Sequence, residues 1–187
     1  MSAVKSAGRP PYLPGDRKPA SDTARMIRVD QAGEYGATRI YEGQLAVLRR
    51  GRGSQAIREM AEQEQRHLAQ FNRLTTERRV RPTALSPLWH VAGYALGAAT
   101  ALLGERAAMA CTVAVEEVID EHYARQAGQL AGSDPELAEA IGTARADELA
   151  HRDAALAHDA AEAPGYELIS TAIKTGARIA IWLSERI

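Results

Sequence analysis

Cysteine is nearly absent from this chain, with Cys111 the one thiol in 187 residues. A single thiol excludes an intrachain disulfide, a CxxC redox motif and a four-cysteine zinc site, and it suits a reducing compartment. Any metal must therefore be held by histidine and carboxylate. An excess of either charge is missing too: 23 Lys and Arg stand against 24 Asp and Glu, net charge −1. No global electrostatic pull toward nucleic acid follows from that balance, so nucleic acid is not an expected partner. From Ser21 onward no stretch sustains the period-two alternation of a half-buried strand. The opening stretch "MSAVKSAGRPPYLPGDRKPASD" has four prolines, several charges and no apolar run. It matches neither a secretory signal nor a membrane anchor, reads as a mobile arm over residues 1–21, and lacks the amphipathic, acid-free pattern of an organellar transit segment.

What is present is helix after helix, 45% of the residues being hydrophobic, enough for one domain (22–187) with a real core. The first helix is expected from about Asp22 to Arg50, where "GRG" stops it, and the second from about Ser54 to Arg79. "GRGSQA" at 51–56 resembles a dinucleotide loop only faintly, since no strand precedes it, and reads as a helix-to-helix turn. Ser86 and Pro87 form a cap and first turn for a third helix reaching about Leu103. Gly104 breaks the chain before a long fourth helix to about Ala131. "SDPE" at 133–136 reads as a capping box, Ser133 reciprocated by Glu136, opening a fifth helix that ends at "APG". The last helix occupies roughly 166–186. Four of the six have bundle length, near 25 residues or about 40 Å at 1.5 Å per residue.

The other two differ in character. Residues 82–104 carry no charge, yet are rich in Ala and Gly and interrupted by Pro87, which is too irregular for a membrane span. In the terminal stretch Leu168, Ile169, Ala172, Ile173, Ile179 and Trp182 fall to one side, and Lys174 and Arg178 to another. Such helices either lie on a membrane surface or pack on the flank of the bundle.

The chemistry lies on the apolar stripes of the long helices. In "EQEQRHLAQF" the helical period puts Glu64 and His67 on a stripe with Ile57, Met60, Leu68 and Phe71, while Glu62, Gln63, Gln65 and Arg66 mostly face elsewhere. One buried Glu-His pair is commonly just a satisfied hydrogen bond. A second copy changes that reading: Glu148 and His151 are also three apart, on a stripe with Ile141, Ala144 and Ala155. Each motif is preceded by an inward glutamate, Glu34 with Ile27, Tyr41 and Leu45, and Glu116 with Met109, Ile119 and Tyr123. Each half of the chain is therefore Glu, turn, Glu-x-x-His, the ligand pattern of ferritin-like di-iron bundles. Four carboxylates on buried stripes without Lys or Arg repel one another and lose hydration, so a positive charge must sit between them. Two divalent ions supply it, and mixed oxygen and nitrogen ligation suits iron or manganese. Gly33 and Gly36 flank Glu34 inside a helix, each at a cost of about 1 kcal/mol relative to Ala, and make room for a neighbouring helix or a substrate. Tyr123 and His122 are placed to contact a substrate, to relay protons, or, for Tyr123, simply to fill the core.

From about Arg25 to Ile187 the chain resembles the demethoxyubiquinone hydroxylases of ubiquinone biosynthesis. The resemblance rests on "RVDQAGEYGATRIYEGQ", "VRPTALSPLW", "ALLGERAAMACTVAVEEVIDEHY", "DELAHRD" and "RIAIWLSERI". It implies an all-α, ferritin-like four-helix bundle with two additional apolar or amphipathic helices, 82–104 and 166–186, that dock on the bilayer. It implies Glu34 and His67 on one iron, Glu116 and His151 on the other, and Glu64 and Glu148 bridging. It further implies insertion of one oxygen atom from O2 into the ring of a polyprenyl demethoxyubiquinol. The expected place is the cytoplasmic face of a bacterial membrane or, alternatively, the matrix side of the mitochondrial inner membrane. A homo-oligomer or an accessory protein of the pathway is compatible with it. The rival reading, an iron-storage or peroxide-scavenging protein, would use much the same ligands but has no use for a charge-free helix between its halves.

Overall fold

The computed structural model describes residues 19–130 and 132–187. The expected arm over 1–21 falls almost entirely outside them, although the first helix begins at Pro19. Six α-helices and one short 3₁₀ turn make up the described chain. They are α1 (Pro19–Val47), α2 (Arg52–Glu77), α3 (Ser86–Leu102), α4 (Glu105–Leu130), α5 (Pro135–Ala157) and α6 (Tyr166–Ser184), with the 3₁₀ turn at Ala160–Glu162. No strand occurs among the described residues. The protein is an all-α bundle of ferritin-like form: α1, α2, α4 and α5 pack around one core, α3 lies against α1, and α6 lies against α4.

Apolar periodicity sets the core. Met26 and Ile27, Phe71 and Leu74, Tyr123 and Leu130, Leu137 and Ile141 fill one end of the bundle. Tyr41, Ile57, Met60, Met109, Val113 and Ala155 fill the other. Each cluster takes residues from all four long helices, and the inward glutamates and histidines lie between the two clusters in the sequence of every helix. A charged layer is thereby closed off by apolar packing at both ends.

Helix α3 approaches α1 backbone to backbone, which only glycine allows. A Cβ on Gly97 would collide with the Ile40 carbonyl, and one on Gly43 with the Tyr94 carbonyl. Gly104 makes the break between α3 and α4 with φ of 115°, in the region that favours glycine. The far ends of α3 and α6 are tied together where the Trp89 indole N–H donates to Ser184 Oγ at 3.0 Å and Ala84 N–H to the Ile187 carbonyl at 3.2 Å.

Two local expectations are corrected. The cap of α5 is Asp134, not Ser133: its carboxylate accepts the Leu137 N–H at 3.1 Å, while the Ser133 hydroxyl turns back to the Leu130 carbonyl. Glu136 does not reciprocate, because Arg73 of α2 and Arg78 just after it hold it at 3.0 and 2.8 Å. Long-range ion pairing outcompetes the local box. The single apolar side expected of α6 is also divided. Ile173 is buried against Ile40, Ala114 and Val115, whereas Leu168, Ile179 and Trp182 are exposed. The α6 cations face α4, Lys174 pairing with Glu117 and Arg178 with Glu121. Smaller differences concern helix ends, α1 stopping at Val47 and α2 starting at Arg52.

Candidate metal centre

The six expected positions come together. Glu34 of α1, Glu64 and His67 of α2, Glu116 of α4, and Glu148 and His151 of α5 are all buried. Their ligand atoms form two groups, Glu34, Glu64, His67 and Glu148 in one, and Glu64, Glu116, Glu148 and His151 in the other, each within 4.8 Å. Glu64 and Glu148 belong to both groups, so the two clusters share a carboxylate pair between them.

The histidine rings turn Nδ1 inward. His67 Nδ1 lies 3.4 Å from Glu148 Oε1 and 3.6 Å from Glu34 Oε2. His151 Nδ1 lies 3.0 Å from Glu148 Oε2 and 3.1 Å from Glu64 Oε1. Each outward Nε2 has its own partner, Asp147 Oδ2 at 2.9 Å from His67 and Gln63 Oε1 at 2.8 Å from His151. Both partners only accept here, so each Nε2 carries the ring proton toward them and each Nδ1 can offer a lone pair to a metal.

The outer carboxylates are held by tyrosines. The Tyr41 hydroxyl donates to Glu116 Oε1 at 2.9 Å, and the Tyr123 hydroxyl donates to Glu34 Oε1 from across the bundle. Burial, followed by the charge of Glu116 for Tyr41 and of Glu34 for Tyr123, keeps both phenols protonated well above their ordinary range. Phe71 stacks on Tyr123 with centroids 6.4 Å apart.

Electrically the site is unfinished. Both oxygens of Glu64, Oε2 of Glu34 and of Glu116, Oε1 of Glu148 and Nδ1 of His67 are buried without a hydrogen-bond partner. Burial and then repulsion from Glu148 raise the Glu64 and Glu116 carboxyls well above their usual range. Burial opposes the charge on Glu148 as well, but the bond to His151 and the nearby His67 ring prevail and lower it to about 2. Burial likewise works against a charged His67, and the Glu148 and Glu34 carboxylates beside its Nδ1 push it up to about 11. Unpaired carboxylate oxygens converging from four helices, with imidazole nitrogens beside them, are the donor set of a hard or borderline cation pair. The residues fit two metal ions.

His122, adjacent to Tyr123, faces another way. Its Nε2 is 3.2 Å from Asp30 Oδ1, which also accepts from Gln126 at 2.8 Å. With Arg25, Arg125 and Glu185, His122 and Gln126 line a small pocket of about 40 Å³. Neither His122 nor Tyr123 is among the residues of the large cavity. That cavity, about 480 Å³, lies between α1, α3, α4 and α6, and includes Gly33, Gly36, Trp89, Leu96, Val115 and Ile173. A Cβ on Gly33 or Gly36 would meet nothing within 4 Å, so the room these glycines make is cavity, not a helix contact. Gly33 is the chain neighbour of Glu34, and Val115 of Glu116, which brings the apolar space to the backbone of two of the inward glutamates.

Sequence periodicity missed Gln63, Asp147, Asp30 and Gln126. Gln63 and Asp147 each sit one residue before an inward glutamate, a position that points about 100° away from it and reads as surface. Asp30 was detectable, because it precedes Glu34 by one helical turn on the same stripe.

An all-α ferritin-like bundle with two Glu/His clusters able to hold metal defines the class of this protein. Residues 21–184 match the family described as Ubiquinone biosynthesis protein COQ7, and the chain belongs to it. It is 56% identical over 176 residues to a 3-demethoxyubiquinol 3-hydroxylase of Rhodospirillum rubrum, covering 94% of this chain and 83% of the relative. It is 54% identical over 167 residues to an NADPH-dependent 3-demethoxyubiquinone 3-hydroxylase, mitochondrial, of Homo sapiens, covering 87% and 77%. A 5-demethoxyubiquinone hydroxylase, mitochondrial, of Saccharomyces cerevisiae is 44% identical over 180 residues, covering 87% and 77%. These relatives are hydroxylases by name, and the iron-storage alternative gains no support from them.

Proposed function

We propose that this chain is a 3-demethoxyubiquinol 3-hydroxylase, an O2-dependent monooxygenase with two irons, acting in ubiquinone biosynthesis. The carrying observation is the pair of buried Glu/His clusters sharing Glu64 and Glu148, with a 480 Å³ apolar cavity reaching the neighbours of Glu34 and Glu116. Glu34 and His67 would hold one iron, Glu116 and His151 the other, and Glu64 and Glu148 would bridge. When bound, the iron pair supplies the electrons and Lewis acidity by which dioxygen is split, one atom going to the quinol ring and one to water.

The protein's own residues do the rest. The apolar cavity takes the quinol ring with its prenyl chain and excludes water from it. Tyr41 and Tyr123 hold protons at Glu116 and Glu34, which fixes the outer carboxylates. His122, bonded to Asp30 and Gln126, stands beside the small surface pocket and apart from the cavity. Two apolar clusters seal the charged layer at both ends, so that the carboxylates bind metal instead of water.

Exposed apolar side chains on the outer faces of α3 and α6 support docking on a membrane. Leu88, Val91, Leu102, Leu103, Leu168, Ile179 and Trp182 are all at least half exposed. No helix of the described residues is long and apolar enough to cross a membrane. Lying on the surface fits both facts. The place proposed is the cytoplasmic face of the bacterial membrane, where a polyprenyl quinol could enter the cavity from the lipid. Purified chain loaded with ferrous iron, given O2, a reductant and demethoxyubiquinol in detergent micelles, should form the hydroxylated quinol. Iron uptake with no product from this substrate would overturn the reading.

A further inference from the structure

The two Glu-x-x-His segments brace each other. The residue immediately before Glu148 holds the histidine of the other motif, Asp147 to His67 at 2.9 Å. The residue immediately before Glu64 does the same in return, Gln63 to His151 at 2.8 Å. The geometry of the brace is twofold, but its chemistry is not: one partner is a carboxylate and the other a neutral amide. Both rings are buried, both point Nδ1 at Glu148, and both give Nε2–H to a partly exposed acceptor.

We propose that this difference makes the two metal positions unequal, Asp147 and Gln63 acting as positioning residues that tune them. The proposal rests on the di-iron reading. An N–H donated to a carboxylate is charge-assisted and stronger than one donated to an amide at closely similar length, 2.9 against 2.8 Å here. It draws the ring proton outward and leaves Nδ1 of His67 the better electron donor, and outer partners of this kind change metal affinity by about 10–100-fold. The Asp147 side chain is 36% exposed, so water screens part of its charge, but the His67 ring between it and the site is only 5% exposed. The position at His67 is therefore the one that fills first and holds its ion more tightly. The position at His151 is the one from which an ion is lost.

The test uses the whole chain, stripped of metal and titrated anaerobically with ferrous iron, read by calorimetry and by Mössbauer spectroscopy of 57Fe. The wild type should take up two irons in separable steps and show two quadrupole doublets. Asp147→Asn keeps the hydrogen bond and removes the charge, and should weaken the tighter step about tenfold while leaving the other unmoved. Gln63→Glu should tighten the weaker step and draw the two doublets together. A purely structural brace predicts that neither conservative change moves a step or a doublet, and that result would overturn the proposal. So would equivalent irons in the wild type. If Asp147→Asn does not fold, Gln63→Glu carries the test alone, since it leaves the His67 side intact. A chain that binds no iron at all sinks the di-iron reading first and this inference with it, whereas two bound but equivalent irons sink only the inference.

Discussion

Glu116 and Glu117 are neighbours in the chain and point to different sides of α4. Glu116 is buried and accepts the Tyr41 hydroxyl at 2.9 Å inside the candidate metal centre, while Glu117 pairs with Lys174 of α6 on the outside. A helix turns about 100° per residue, and that rotation alone separates a proposed ligand from a surface ion pair. Glu116→Gln should cost at least one bound iron and abolish hydroxylation. Glu117→Gln should leave two irons and most of the activity, because exposed pairs are worth about 0–1 kcal/mol. Iron stoichiometry and turnover of the two variants, measured together, check the ranking.

Tyr123→Phe deletes the donor to Glu34 and leaves a buried carboxylate oxygen unpaired, for a loss of about 1–3 kcal/mol in the metal-free protein. Tyr41→Phe should do the same at Glu116. Denaturant unfolding of the stripped variants reads the cost directly, and a neutral result at both would mean that the tyrosines do not fix the carboxylates.

Metal uptake should release protons. Glu64 and Glu116 have carboxyls raised above their ordinary values, so the folded metal-free chain keeps protons that the unfolded chain has lost. Through these two groups, stability is fully present below the unfolded carboxyl range and falls as pH rises toward the folded values. His67, raised to about 11, adds a term of the same sign, present below its ordinary value of 6.5 and lost as pH climbs toward 11. Glu148, lowered to about 2, contributes in the other direction, its share being lost only as pH falls toward 2. Ions that replace those protons bind better as pH rises. Calorimetric titrations in buffers of different ionisation enthalpy should show net proton release near neutrality, and a larger thermal stabilisation by ferrous iron at pH 7.5 than at pH 6.

The glycines of α1 and α3 separate into two kinds. Gly36→Ala adds a Cβ that meets nothing, and should stabilise the fold by about 1 kcal/mol through helix propensity. Gly97→Ala drives a Cβ into the Ile40 carbonyl and should cost about 1–3 kcal/mol or more. Gly36→Leu should fold but fill the cavity, raising KM for demethoxyubiquinol with iron content unchanged. Retained KM in that variant would place the substrate elsewhere.

Replacing Val91, Ile179 and Trp182 together by Ser should leave the fold intact, since all three are more than half exposed. Co-sedimentation with liposomes should fall sharply, and turnover of long-chain quinols should drop more than turnover of short-chain analogues. Undiminished co-sedimentation would show that this face is not what meets the lipid.

The sequence by itself determined the helices, the four-plus-two arrangement and the six inward Glu and His positions, because one physical rule covers all of them. A side chain on the apolar stripe of an amphipathic helix faces the core, and the 3.6-residue period is written in the order of residues. The same rule separated Glu116 from Glu117. It failed wherever the partner lies on another helix. That Asp134 rather than Ser133 caps α5 depended on Arg73 of α2 and Arg78 just after it drawing Glu136 away. Lys174 and Arg178 turn toward α4 because Glu117 and Glu121 wait there, which leaves Leu168, Ile179 and Trp182 outside. Gln63 and Asp147 read as surface residues on their own helices, and became partners of His151 and His67 only when α2 and α5 met. That Gly33 and Gly36 border a cavity, with no side chain against them, depends on the line along which α3 crosses α1. Periodicity fixes the direction of a side chain from its own helix axis, but what that side chain reaches depends on the distance and rotation between two axes, which only tertiary packing sets.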